Sequence, residues 1–323
     1  MLKRFHLTNG ELLPAESEES QIHVYINPDA AERKVLQASF NLDDHTLSSA
    51  LDPDEVSRIE FDLDRLFLIW KRPANCPDKD GFSFDVVSIG LLLTRERLLI
   101  IASEEFQASG SEGAVVPALN SLFDVMLWIL FRTTHDYLIH LKTIKKAAKE
   151  LQDKINASLQ NEYLIRMFNL SEGLVYFINA INANGAVLTR LQNYARKENL
   201  SQKVADFIDD LVIENTQCYR LSTTYSTVFA GLMDARGNII NNNMNLLIRN
   251  LTFINIVFLP LNLIASIGGM SEFTMMTEAI PWPLAYTAFG IAMLSLGWLT
   301  AAFLKRAGFM GSTAATPAKR LSD

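Results

Sequence analysis

The chain has 323 residues, of which 49% are hydrophobic and 20% charged, and its formal net charge is -7. The charges are unevenly distributed, because residues 250–304 contain only Glu272 and Glu278. This pattern argues against a wholly soluble protein and against a carrier with many spans, since only about 55 residues are available to cross lipid. The acidic part before residue 250 argues against nucleic-acid binding, which needs clustered Lys and Arg.

The N-terminal part, residues 1–116, is predicted to be a cytoplasmic α/β domain. Its first 30 residues contain no apolar segment of the kind that a cleavable signal peptide needs. The cysteines, Cys76 and Cys218, lie far apart and are expected to be isolated reduced thiols.

This domain is predicted to have an α+β fold: a mixed, mainly antiparallel sheet with helices on both faces. Acidic residues that follow turn signals predict two short helices. Apolar, β-branched and aromatic runs predict strands. The helices are expected at 29–40 and 43–51, and the strands at 21–26, 59–70, 82–93 and 98–102.

From residue 117 the apolar residues recur at helical spacing and the β signal disappears. Residues 117–245 are therefore predicted to form a stalk or funnel of long helices, expected at 117–159, 161–197 and from 201 to 266. Helices of this length exceed what one compact core covers, which indicates a stalk or an oligomeric bundle.

Residues 246–304 are predicted to form a transmembrane hairpin. The first span is expected at 246–267, the outer loop at 268–281, the second span at 282–304, and a basic cytoplasmic tail at 305–323. Residues 250–271 carry no formal charge. As a helix they span about 33 Å, which matches the thickness of the hydrocarbon core. Arg249 precedes the uncharged run 250–271, and Lys305 and Arg306 follow the second span, so the positive-inside rule predicts that both termini are cytoplasmic and the short loop is outside.

The first span carries a stripe of polar residues at an average spacing of 3.5, which places them on one helix face. The stripe, with the apolar positions that complete its spacing, consists of Asp234, Asn238, Asn241, Asn245, Ile248, Thr252, Asn255, Leu259, Asn262, Ser266 and Gly269. Polar side chains in lipid face a protein interior or a water-filled path. The stripe is interpreted as a pore wall, which several copies around an axis would enclose. The alternative is hydrogen bonding between packed helices, for which one or two such residues usually suffice.

The segment Phe258-Leu-Pro-Leu-Asn262 followed by Gly268-Gly-Met-Ser271 resembles the end of the first span in the CorA family of divalent-cation channels, which reads Phe-x-Pro-Leu and then Tyr-Gly-Met-Asn. Asp54-Glu-Val-Ser-Arg-Ile-Glu-Phe-Asp62 resembles part of the family's cytoplasmic sheet, and Gly231-Leu-Met-Asp234 resembles its stalk motif. The resemblance covers essentially the whole chain.

The resemblance implies a homopentamer in the inner membrane, with the first span around the pore and the second outside it. It implies transport of divalent cations such as Mg²⁺, Co²⁺, Ni²⁺ or Zn²⁺. The family's pore positions fall on the stripe, with Leu251 and Thr252 as alternatives at one position. Its funnel acid falls on Asp234, and a regulatory metal-sensing acid falls near Asp209 or Asp210. Mg²⁺ or Zn²⁺ is then substrate and possible regulator, with membrane lipid and further copies of the chain as partners.

The resemblance implies that the family's selectivity filter corresponds to Gly268, Gly269, Met270 and Ser271. This segment departs from the family pattern. Ser271 replaces an Asn amide by a hydroxyl, which is expected to widen the ring and weaken selectivity. Gly268 replaces Tyr and is expected to loosen the turn. These departures resemble the CmaX-like branch.

Two further features of the chain bear on function. Glu272 and Glu278 in the outer loop are expected to attract cations to the mouth. The loop methionines Met270, Met275 and Met276 are interpreted as an apolar loop, with a soft-metal site as the alternative. No catalytic constellation or phosphate-binding loop occurs, so neither an enzyme nor a covalent cofactor is predicted. The alternative to a transporter is a membrane-anchored scaffold or sensor with little or altered transport.

Overall fold

The computed structural model describes residues 1–8, 10–17, 20–62, 64–75, 84–105, 119–157 and 161–306. Cys76 and residues 307–323 of the expected basic tail lie outside the described residues. The chain divides into two compact units, Met1–Met233 and Asp234–Asp323.

The first unit is built on a mixed seven-stranded sheet. Its strands are β1 (Leu2–Thr8), β2 (Glu11–Pro14), β3 (Ile22–Ile26), β4 (Arg58–Phe61), β5 (Arg65–Pro73), β6 (Val86–Thr94) and β7 (Leu98–Ala102). Their order is β2-β1-β3-β7-β6-β5-β4, and every neighbouring pair is antiparallel except β3 with β7. The predicted mixed, mainly antiparallel sheet is confirmed.

Two parts of the sheet differ from the sequence prediction. The run 59–70, expected as one strand, is a hairpin of β4 and β5. The Asp62 amide donates to the Arg65 carbonyl over 2.9 Å, and the two side chains form an ion pair of 3.1 Å. Strands β1 and β2 were not predicted, because Phe5 alone is buried in β1 and no residue is buried in β2.

Alternate residues of the central strands enter two separate cores, one on each face of the sheet. Phe67 and Ile101 belong to the core that includes the first two helices, whereas Leu68 and Ile100 belong to the core that includes the long helices. The prediction of helices on both faces is therefore confirmed.

The two short helices, α1 (Ala30–Phe40) and α2 (Asp44–Leu51), begin at the acidic residues that predicted them. Asp29 caps α1 and forms a reciprocal capping box with Glu32, while the Asp43 carboxylate caps α2. Such caps satisfy amide groups that the first turn of a helix leaves free.

The remaining helices are long, apart from one short helix near the C-terminal end. They are α3 (Leu122–Ala157), α4 (Asn161–Lys197), α5 (Gln202–Gly268), α6 (Ser271–Met276) and α7 (Trp282–Arg306). Ser121 and Asp124 exchange backbone-to-side-chain hydrogen bonds of 3.0 and 3.1 Å, which fixes the start of α3. The expected start at residue 117 lies outside the described residues.

A buried asparagine joins α4 to the sheet. Asn184 is fully buried, and its side chain donates to the Lys71 carbonyl over 2.8 Å and accepts from the Lys71 amide over 3.1 Å. It also accepts from the Ser57 hydroxyl over 2.7 Å. The pairing of β4 with β5 ends at Arg58 and Ile69. The side-chain amide of Asn184 therefore takes the place that a further residue of β4 would occupy beside Lys71.

Replacing Asn184 by Ala is expected to destabilise the first unit by about 2 kcal/mol, because Ser57 and Lys71 would keep buried polar groups without partners. Asn179 is exposed on the same helix and supplies the control, since surface substitutions cost about 0.5 kcal/mol or less. Thermal unfolding of the detergent-solubilised protein compares the two variants. Equal unfolding temperatures for N184A and N179A would contradict the role given to Asn184.

Candidate functional site

Two helices, α5 and α7, are long and apolar enough to cross a membrane. They confirm the predicted pair of apolar C-terminal helices. The C-terminal half of α5 lies with α6 and α7 in the second unit. The candidate site is built from these three helices.

Two size-matched contacts set the packing of α5 against α7. At one, a Cβ placed on Gly297 of α7 would lie 3.3 Å from a methyl group of Leu261. At the other, a Cβ placed on Gly268 of α5 would lie 2.9 Å from two ring carbons of Phe289 and closer still to the ring tip. The contacts are two turns apart on each helix and in opposite chain order, so the helices pack antiparallel. Small residues that receive large ones let helices approach closely in a bilayer.

The same packing defines one face of α5. Phe253, Val257, Leu261 and Ile264 are half-buried and Gly268 is buried, whereas the intervening residues are exposed, apart from Pro260 beside Leu261. The half-buried positions recur every three or four residues. They are therefore one helical stripe, directed at α7.

The polar stripe lies on the opposite face of α5. Asn255, Leu259, Asn262 and Ser266 are each two positions away from a residue of the α7-facing stripe, and two positions on a helix correspond to about 200°. All four are exposed. Helix α7 therefore covers one side of α5 and leaves the polar side open.

Hydrogen bonding distinguishes the two kinds of polar residue in the hairpin. On α7, the hydroxyls of Ser295 and Thr300 donate to carbonyls of their own helix over 2.9 Å, and Thr252 on α5 does the same over 2.8 Å. Within the described part of the chain, no hydrogen bond to the amide of Asn255 or Asn262 is found. Their amides need partners from water, an ion's hydration shell or another chain.

The stripe continues along α5 toward the start of the second unit. Every predicted position in that stretch is exposed, namely Asp234, Asn238, Asn241, Asn245 and Ile248. Leu251 and Leu259 are exposed to 60% and 70%. A single copy of the chain thus presents a continuous open stripe that combines amide, hydroxyl and aliphatic side chains.

The predicted filter segment lies where α5 ends. The Gly269 amide donates to the Ala265 carbonyl and the Met270 amide to the Ile267 carbonyl, both over 3.1 Å. Helix α6 starts at once with Ser271. Only Gly269 and Met270 lie between the two helices.

Gly268 does not lie in the turn itself, and the expectation that it loosens the turn stays a prediction. Gly268 is the last residue of α5 and is buried, and its missing side chain leaves room for the ring of Phe289. The pattern of the sequence around Gly268 held no signal of this contact, since Phe289 is one of many apolar residues in the second span.

The outer acids lie in and after α6. The Ser271 hydroxyl donates to the Glu272 carboxylate over 3.4 Å, and both Glu272 and Glu278 are exposed. The Met cluster is exposed as well, with Met275 at 74% and Met276 at 85%. Among the described residues, no group of three or more His, Cys, Asp or Glu side chains is placed to hold a metal.

The proposed regulatory acids belong to the first unit. Asp209 and Asp210 are exposed on α5, and Asp209 accepts a hydrogen bond of 2.5 Å from the Gln192 amide of α4. Among the described residues of one chain, they belong to no group of three or more His, Cys, Asp or Glu side chains that could hold a metal. Their role in metal sensing stays a prediction.

Comparisons with known proteins agree on one family. Residues 21–306 match the family described as CorA-like Mg²⁺ transporter protein. The cobalt/magnesium transport protein CorA of Methanocaldococcus jannaschii is 27% identical over 234 residues, which cover 70% of this chain and 71% of that protein.

Solved structures show the same fold. The complete structure of the CorA magnesium transporter from Methanocaldococcus jannaschii superposes with a TM-score of 0.75 at 22% identity, covering 96% of this chain and 98% of the other. The full-length CmaX protein superposes with a TM-score of 0.68 at 14% identity, covering 93% and 96%. At these identities the likeness concerns the fold alone.

The packing of the hairpin predicts that Gly297 does not tolerate a large side chain. Gly297→Leu is expected to destabilise the protein by about 1–3 kcal/mol, because the new side chain would overlap Leu261. Gly290→Leu is the matched control on the same helix, since no atom lies within 4 Å of a Cβ placed there. Thermal unfolding in detergent measures both, and an equal loss in the two variants would contradict the contact.

Proposed function

The chain belongs to the CorA-like Mg²⁺ transporter family, and from this premise we propose that it is a homopentameric channel for divalent cations, with α5 lining the pore. The observation that carries the proposal is the exposed polar stripe on the side of α5 opposite to α7. Asn255 and Asn262 would be costly in hydrocarbon, so this side must face a shared interior. One stripe cannot enclose a path, and copies around a symmetry axis can.

The combination of amide and aliphatic side chains suits a hydrated ion. Mg²⁺ loses its water shell reluctantly, so a pore that carries it must exchange hydrogen bonds with the shell. Asn245, Asn255 and Asn262 supply donors and acceptors for that exchange. Rings of Ile248, with Leu251 or Leu259, would form narrow apolar constrictions that close the path by excluding water.

The two ends of the stripe carry acids. Asp234 lies at one end, and Glu272 and Glu278 follow the other, so rings of these residues would concentrate cations at both openings. The Gly269 carbonyl and the Ser271 hydroxyl would contact the hydration shell at the outer mouth. Mg²⁺ is the leading substrate, with Co²⁺, Ni²⁺ and Zn²⁺ as further candidates.

The proposal includes an orientation and a form of regulation. By the positive-inside rule, Arg249, Lys305 and Arg306 support an orientation with both termini on the cytoplasmic side of the inner membrane and α6 outside. Lipid then surrounds α7. Binding of the transported cation at Asp209 or Asp210 in the cytoplasm would close the pore when the ion is abundant.

Flux of divalent cations into liposomes tests the proposal. Purified wild-type protein is expected to carry Mg²⁺, Co²⁺, Ni²⁺ or Zn²⁺ faster than empty vesicles. The double variant N255L/N262L is expected to lower the flux by about tenfold or more, because two amide rings lost from the path remove about 1.4 kcal/mol or more of ion stabilisation.

A matched double variant on α7, S295A/T300V, controls for general damage to the hairpin. Its hydroxyls bond to their own helix, so its flux is expected to equal that of the wild type. Absence of flux for all four ions in the wild type would refute transport. An equal loss in both double variants would refute the pore role of the stripe.

A second candidate function is a membrane-anchored scaffold or sensor with little transport. Ser271 favours it, because its hydroxyl is shorter than an amide and already donates to Glu272 in the single chain. Ser271→Asn is expected to raise the Mg²⁺ flux or the preference for Mg²⁺ over Co²⁺ if the filter is merely weakened. An inert wild-type protein that stays inert as S271N would support the scaffold.

A further inference from the structure

An aromatic ring of the second span occupies the space next to the end of the pore helix. Gly268 is the buried residue in the membrane-spanning part of α5, and the Phe289 ring fills the volume that a side chain at 268 would need. Ala285, one turn earlier on α7, is also buried, at 8% exposure. The last turn of α5 therefore has its tightest packing beside the candidate filter.

The filter segment has little else to hold it. Two residues separate α5 from α6, and the amides of Gly269 and Met270 bond back to the last turn of α5. The direction of the Gly269 carbonyl thus depends on how that last turn is oriented. Beyond the turn, Met270 and Ser271 are exposed.

Nothing in the packing of the single chain requires a glycine at 269. A Cβ there would make ordinary contacts of 3.5 and 3.6 Å with the Ala265 and Ser266 carbonyls, and Gly269 is not among the described residues with positive φ. Gly268 differs, because a side chain there would collide with Phe289. The two adjacent glycines therefore serve different ends: Gly268 admits the ring, and Gly269 leaves its carbonyl uncovered.

We propose that Phe289 is a positioning residue for ion selectivity: its ring, seated on Gly268, fixes the last turn of α5 and so the direction of the Gly269 carbonyl and the Ser271 hydroxyl. The inference rests on the proposed function in one respect, namely that residues 268–271 form the filter. The ring acts from the second span, without reaching the ion. An aliphatic side chain of similar size would fill the space and leave the turn free to rock, because it lacks the flat rigid face.

The first arm of the test measures order in the filter segment without any need for transport. A nitroxide label is attached to Met270→Cys in a Cys76→Ser background. Cys218 needs no replacement, because it is buried and its burial raises the pKa of the thiol to about 12, so it stays protonated and unlabelled at neutral pH. F289A and the milder F289L are expected to raise the label's mobility in electron paramagnetic resonance spectra.

Two controls separate this effect from general loosening. Phe303 is 72% exposed on the same helix, and F303A is expected to leave the mobility unchanged. The ring can also be relocated: G268Y combined with F289A returns an aromatic ring to the same space from the other helix. That double variant is expected to restore the low mobility of the wild type.

The second arm measures the ratio of Mg²⁺ to Co²⁺ flux in liposomes. F289L is expected to lower the ratio by about tenfold, which corresponds to about 1.4 kcal/mol, and G268Y/F289A to recover it. Unchanged label mobility in both F289A and F289L would overturn the proposal. Raised mobility with an unchanged flux ratio would also overturn it, since the ring would then be structural only.

The two measurements distinguish a failure of the transport proposal from a failure of the proposal for Phe289. Should the wild type carry no ion, the transport proposal fails, and selectivity as the ring's purpose fails with it. The label still reports in that case whether Phe289 orders the segment. Should the wild type carry ions, the flux ratio decides on Phe289 alone.

Discussion

The hydrogen-bonding demand of the asparagine amides on α5 is the constraint on which the second unit depends. A Thr or Ser in a membrane helix can donate to its own backbone, as Thr252, Ser295 and Thr300 do. An Asn amide with two donors and a carbonyl cannot be satisfied in this way. Because α7 covers the other side of α5, the amides must be satisfied by what lies across the open side.

This constraint links the hairpin to its assembly. The packing of Leu261 on Gly297 and Phe289 on Gly268 directs one face of α5 toward α7, and the helical period then directs the polar stripe away from it. Neither feature alone would indicate a pore. Together they support the proposal of a polar interior that several copies share, which is the basis of the proposed channel.

Much of this could be predicted from the sequence, for identifiable reasons. Acidic caps predicted α1 and α2 closely, because Asp29 and Asp43 have a local hydrogen-bonding role. The spacing of the stripe predicted its common face, because a single helix fixes that relation. The hairpin of β4 and β5 was missed, because Asp62 and Asp64, which interrupt the apolar run 59–70, were not interpreted as a turn.

The contact of Phe289 with Gly268 could not be predicted from the sequence either. It joins residues from two helices, and nothing local to either position records the contact. The same holds for Asn184, whose bonds to Lys71 and Ser57 depend on how α4 lies on the sheet. Local rules predicted the elements, whereas contacts between elements needed the three-dimensional fold.

The two size-matched contacts between α5 and α7 also bear on how the proposed pore can open. The large residue belongs to α5 at one contact and to α7 at the other. Sliding or rotation of α5 against α7 would therefore break both contacts. In the proposed channel, opening would therefore move each hairpin as a rigid pair. A wider pore of this kind would take up more area in the bilayer, so lateral tension in the membrane would favour the open state of the proposed channel.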